Sequence, residues 1–196
     1  MRRSAVSSAV RGGAVTTSGL PRIPSCPRSG SSIMSSPEQA PRKLLAVCSG
    51  GGHLIELLRL APAFEGHQLV LASTASQAPP GIEAMRYYCL TDSNASQKLR
   101  LLQTACQTAR IVFRERPRAV ISTGAAPGLL ALAWARLLGC RLIWIDSIAN
   151  PEKMSLSGRI ARRLTPHCYT QWQHLGQARG VKYLGSIMPL APGATA

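Results

Sequence analysis

The chain has 196 residues, 45% of them hydrophobic, which supplies one core of ordinary domain size and argues against wholesale disorder. Its 23 Lys and Arg against 8 Asp and Glu give a net charge of +15, which favours phosphates, acidic lipid or nucleic acid without choosing among them. The six cysteines include no Cys-x-x-Cys pair and several lie inside apolar runs, so a disulfide or zinc framework is disfavoured and they read as reduced core thiols in a reducing compartment.

Residues 1–42 are rich in Ser, Gly, Pro and Arg, hold the single acid Glu38, and show no sustained helical or strand period. They are expected to form a disordered basic leader. That composition fits an organellar transit peptide or a start codon placed too far upstream with Met34 as the initiator, and the second reading is preferred. A secretory signal is disfavoured, because no charged start precedes a compact apolar stretch.

Residues 43–188 are expected to form a single domain, followed by a flexible tail over 189–196. Apolar runs at 44–48, 68–73, 86–90, 119–122 and 142–146 have strand length, and helical periods lie at 53–63, 96–115 and 127–138. The alternation predicts an α/β fold with a mainly parallel sheet flanked by helices, whose ligands gather at the carboxyl ends of the strands. The nearly apolar run 119–138 is interrupted by Gly124, Pro127 and Arg136, so it reads as strand, turn and helix rather than as a membrane span.

The first strand leads into Gly50, Gly51 and Gly52, then into a helix opened by His53. Such a turn lets backbone approach a ligand closely, and the free amides of the helix start attract an anion. A dinucleotide fingerprint fails, because Ile55 stands where its third glycine belongs and no acid closes the second strand. A P-loop fails for want of the Lys followed by Ser or Thr. The plain alternative is a tight turn with no ligand. A second turn, Ser122, Thr123 and Gly124 with Ala125 and Pro127 beyond, repeats the design after another strand, and two such loops suggest a cleft. Asp146, Ser147 and Asn150 follow the strand ending in "WID" and should reach the same edge, although Ser147 could equally cap the next helix. Arg159, Arg162 and Arg163, with Lys153, form a basic patch that suits either solvent or anionic lipid and diphosphate.

Together, "SGGGHLIELLRL", "VISTGAAPGLLALAWARLLG", "WIDSIANPEKMSLSGRIARRL" and "YTQWQHL" resemble the bacterial PssD and CpsF-type polysaccharide glycosyltransferase subunits. These are related to the asparagine-linked glycosylation protein 14 family and, more distantly, to the amino-terminal domain of MurG. The resemblance implies the acceptor-binding half of a GT-B glycosyltransferase, with a separate subunit supplying the nucleotide-sugar domain and this chain inactive alone. It implies a polyprenyl-diphosphate-linked saccharide acceptor, a UDP-sugar donor, and a peripheral place at the cytoplasmic face of the cytoplasmic membrane. By the same likeness Gly50, Gly51, Gly52 and His53 would lie at the acceptor diphosphate, Gly124 and Ala125 in the second loop, and Asp146 and Asn150 along the cleft. His53 becomes the candidate general base, since an imidazole can take a hydroxyl proton near neutral pH, with a phosphate ligand or cap as the alternative and Glu56 as rival base one turn along. No cofactor is expected and no Asp-x-Asp metal motif is visible. Unlike the eukaryotic members of the related family, the leader offers no membrane anchor, and the ending "MPLAPGATA" offers no docking helix. Two other classes remain: a non-catalytic membrane scaffold, and a basic nucleic-acid-binding module, the latter disfavoured because no aromatic platform is interleaved with the basic residues.

Overall fold

The computed structural model describes residues 42–188 except 81, 83, 85 and 93–96. The expectations for residues 1–41, including Cys26 and Met34, and for residues 189–196 lie outside the described residues.

Seven strands form one parallel sheet: β1 Lys43–Cys48, β2 Gln68–Ser73, β3 Arg86–Cys89, β4 Ala119–Ser122, β5 Arg141–Ile145, β6 Cys168–Thr170 and β7 Lys182–Tyr183. Their spatial order is β3-β2-β1-β4-β5-β6-β7, so the chain reverses its direction of winding between β1 and β4. That crevice, outside the carboxyl ends of the strands, is where open α/β sheets take ligands. The central strands are apolar on both faces because both are covered, as parallel sheets require. Along β1, Leu45 and Val47 enter one core while Leu44, Ala46 and Cys48 enter the other, the two-residue alternation of a strand.

Helices α2 (Lys98–Glu115), α3 (Ala125–Leu137) and α4 (Leu156–Leu164) share one layer, with residues such as Val112, Leu132 and Ala161 in the core formed with β1, β2, β4 and β5. The opposite face of β1 and β2 is covered, among the described residues, by α1 (Gly52–Arg59) and a 3-10 turn over Ala61–Phe64, which bury Leu57 and Phe64 there. Full burial of a side chain such as Leu57 is worth roughly 1.5–3 kcal/mol. The carboxylate of Glu115, at the end of α2, accepts bonds from Lys43 (3.0 Å), Arg86 (2.8 Å) and Tyr88 (2.6 Å), joining that helix to β1 and β3. Burial alone would raise its pKa, but the bonds from Tyr88, Lys43 and Arg86 reverse that and hold it at about 2.

The expected fold class is the observed one, with differences at element ends. The helix expected over 53–63 stops at Arg59, because Pro62 has no N–H to continue it and disfavours the α conformation at Ala61. The helix expected from 127 begins at Ala125, which places Pro127 in the first turn, where a missing donor costs nothing. α4, β6 and β7 went unassigned in sequence, the last two being only three and two residues long. The cap that Ser147 could have supplied comes from Ser155, whose hydroxyl accepts the Gly158 N–H at 2.9 Å. Cys48 and Cys168 are core thiols, pushed up to about 12 by burial. Cys89 and Cys106 depart from that expectation and are exposed, one on the sheet's edge strand and one on the outer side of α2. Among the described residues no helix is long and apolar enough to cross a membrane.

Candidate functional site

The two glycine loops meet at the crevice between β1 and β4. In the first, the Gly50 N–H donates to Thr74 Oγ1 (2.8 Å), so this predicted anion donor is taken up in joining the loop to the end of β2. Gly51 adopts φ 67°, a left-handed conformation that a side chain would strain, and its carbonyl accepts the N–H groups of Leu54 and Ile55. The Gly52 and His53 amides, in the first turn of α1, have no intrahelical acceptor, and no acid stands there to compete with an anion. Gly51 and Gly52 are both exposed.

The second loop clasps the first. Thr123 Oγ1 donates to the His53 carbonyl at 2.6 Å, and the His53 ring fills the place a side chain at 124 would occupy. A Cβ on Gly124 would fall 2.5 Å from His53 Cε1 and 2.6 Å from Nδ1, and the residue's φ of 142° is itself a glycine conformation. Gly124 is therefore a seat for the imidazole, a role that sequence pattern did not suggest. Ala125 follows at φ 66°, an uncommon conformation for a residue with a side chain and a mark of a loop held by its surroundings.

Glu56 sits beneath this junction, 1% exposed. Its Oε1 accepts from Ser147 Oγ (2.9 Å), the Ile148 N–H (2.9 Å) and Gln171 Nε2 (3.2 Å), so one carboxylate oxygen ties α1 to the ends of β5 and β6. Its Oε2 lies 3.7 Å from His53 Nδ1, and both atoms are buried without a hydrogen-bond partner. The rival base is thus placed out of reach of a ligand and behind the histidine, whose side chain is 27% exposed.

Asp146 departs similarly from its expected place along the cleft. It is buried, with Oδ1 accepting from Ser155 Oγ (2.6 Å) and Trp144 Nε1 (3.2 Å), and Oδ2 from the Ser155 N–H (2.9 Å). Its acceptors hold the 147–155 loop against the start of α4. Asn150 remains half-buried on that loop, where its N–H bonds the Ser147 carbonyl and closes a turn. Gln171 was missed in sequence because it follows a strand too short to recognise, and Thr123 was named only as part of its turn, where hydroxyls are ordinary. Among the described residues no group of three or more His, Cys, Asp or Glu gathers closely enough to hold a metal ion.

The family model described as "Oligosaccharide biosynthesis protein Alg14 like" matches residues 82–187, more than half of the chain. The chain belongs to the Alg14-like family. A curated Alg14 relative, the UDP-N-acetylglucosamine transferase subunit ALG14 of Eremothecium gossypii, is 25% identical over 182 residues, covering 76% of this chain and 81% of that one. Among solved structures the Alg14-like chain superposes on Acinetobacter baumannii MurG with a TM-score of 0.58 at 15% identity, covering 76% of itself and 47% of MurG. A UDP-N-acetylglucosamine 2-epimerase from Rickettsia bellii gives a TM-score of 0.56 at 16% identity, covering 76% and 46%. The Alg14-like chain therefore spans about half the length of these structures and shares the fold of the amino-terminal half of a GT-B protein.

Proposed function

We propose that this chain is the acceptor-binding subunit of a two-chain glycosyltransferase that uses a UDP-sugar to extend a polyprenyl-diphosphate-linked saccharide, as its PssD and CpsF-type resemblance also suggests. A separate donor-binding subunit completes the cleft, and the pair works at the cytoplasmic face of the membrane with this chain attached peripherally. What carries the reading is His53, seated on Gly124 where the two loops meet and backed by a buried carboxylate.

The acceptor diphosphate would lie against the free amides of Gly52 and His53, where helix-end donors and partial positive charge favour an anion. Asn150 and the strained Ala125 turn would border the sugar. An acceptor hydroxyl then attacks the anomeric carbon of the donor sugar as the bond from that carbon to the nucleoside diphosphate breaks. The hydroxyl proton passes to His53 Nε2. Glu56 would accept a hydrogen bond from Nδ1–H, fixing the tautomer that leaves Nε2 free to serve as base. Glu56 is thus a positioning residue in this mechanism, and Gly51 keeps the backbone turned for close approach.

Reconstitution tests the proposal. The chain alone should transfer no sugar, while the chain mixed with its donor-binding subunit, UDP-sugar and lipid-linked acceptor should do so. His53→Ala should lower turnover by roughly a hundredfold or more. Steady turnover by the isolated chain would refute the two-chain reading. Transfer unaffected by His53→Ala and by Gly51→Val would favour a scaffold that recruits a complete enzyme.

A further inference from the structure

The helical layer on one face of the sheet combines two features seldom found together on a solvated surface. Helices α2, α3 and α4 carry four, one and three Lys or Arg respectively, against a single acid, Glu115, which is buried and already bonded to Lys43 and Arg86. Between these cations stand large apolar side chains with almost no cover. Leu99 is 84% exposed, Leu102 63% and Leu156 60%, and Phe113 and Ile160 are also exposed. Leu99 and Leu102 are three residues apart on α2 and Phe113 continues the same side, so they form a stripe rather than scattered exceptions.

We infer that this helical layer docks on the surface of an anionic lipid bilayer, with Leu99, Leu102 and Leu156 entering the headgroup boundary and the surrounding Lys98, Arg100 and Arg159 contacting lipid phosphates. A basic amphipathic surface binds a membrane through both contributions together, apolar burial and attraction to anionic headgroups. Three adjacent helices packed side by side offer a broad face, which suits a bilayer better than the slot a partner helix would need. Because each helix follows a parallel strand, its first turn lies at the carboxyl edge of the sheet. Leu99, Leu102 and Leu156 belong to the opening turns of α2 and α4, which puts these three exposed leucines at the same edge as His53 and the glycine loops, whereas Leu137, 70% exposed, closes α3 at the opposite edge. Docking there would present the site to a headgroup at the membrane surface. The inference rests on the peripheral-membrane part of the proposed function and names the surface responsible.

The full chain should cosediment with vesicles containing about a third phosphatidylglycerol in phosphatidylcholine, weakly with pure phosphatidylcholine, and less as salt is raised to about 0.5 M. Leu99→Glu with Leu102→Glu should weaken binding roughly tenfold or more, and Lys98→Glu with Arg100→Glu should do likewise, with unfolding curves unchanged because all four side chains are exposed. Wild-type binding by the leucine variant, or equal binding to neutral vesicles, would overturn the inference. So would a leucine variant that binds vesicles normally but loses its donor-binding partner, which would assign the face to a protein. Vesicle binding needs neither acceptor nor UDP-sugar, and transfer to a short-chain, water-soluble acceptor should not depend on Leu99 or Leu102, so failure of the membrane surface and failure of the transferase reading give different results.

Discussion

Replacing Glu56 separates its structural work from its proposed chemical work. In Glu56→Ala, Ser147 Oγ, the Ile148 N–H and Gln171 Nε2 lose their shared acceptor in a buried setting. Each stranded donor costs about 1–3 kcal/mol, giving roughly 3–9 kcal/mol for the three, a large part of the ~5–15 kcal/mol stability of an ordinary domain. Glu56→Gln keeps an oxygen for the same three donors, and its amide takes the place of Oε2. It should cost only about 1 kcal/mol, as charge-assisted bonds become neutral ones. That amide can only donate toward His53 Nδ1, however, which forces the imidazole proton onto Nε2 and disables the base. Urea denaturation should therefore show a large loss for the alanine variant and a small one for glutamine, while transfer by the glutamine variant with its partner falls roughly a hundredfold in kcat with little change in KM. An alanine variant within about 1 kcal/mol of wild type would refute the buried-acceptor reasoning. Full activity of a folded glutamine variant would remove Glu56 from the mechanism.

Gly124→Ala should displace the His53 ring and force an unfavourable backbone, costing about 2–4 kcal/mol in denaturant unfolding and lowering transfer sharply; an unchanged midpoint would contradict the packing described. Glu115 has its pKa lowered from 4.5 to about 2, so its contribution is complete above pH 4.5 and is lost as pH falls toward 2. At pH 7 Glu115→Gln should cost at most about 3 kcal/mol, less after allowance for screening at half-exposed Arg86, and the gap from wild type should close on acidification; a gap that widened would reverse the sign assigned here. A thiol reagent should modify Cys89 and Cys106 in the native protein and reach Cys48 and Cys168 only on unfolding, as peptide mapping would show; rapid native labelling of Cys48 would mean that β1 is less protected than its burial implies.

The sheet was legible because its central strands are continuous apolar runs and its glycine turns punctuate them, signals that survive without tertiary context. The short strands β6 and β7 were not, since two or three residues carry no period. At the site, pattern pointed to loops that the fold brings together at the sheet edge, but it did not show which of their side chains face inward. Asp146 follows a strand end and Glu56 stands one turn into α1, near the places ligands often occupy, yet both face inward and hold neighbouring loops. Inward or outward direction depends on which strand ends become neighbours, and that follows from the order β2-β1-β4-β5-β6 rather than from any local stretch. The close fit of Gly124 to His53 is equally non-local, because it consists of a side chain that is missing.

That fit makes two distant positions share a single steric volume. The space can hold an imidazole from residue 53 or a side chain on residue 124, but not both at these positions. A substitution scan of either position alone would find almost nothing tolerated at 124 and would score it as intrinsically rigid. A paired scan should instead show a trade-off, with small residues entering 124 only where 53 has shrunk, limited further by the backbone at 124. The imidazole is thus retained partly by geometry, since any drift that fills the glycine's void evicts it.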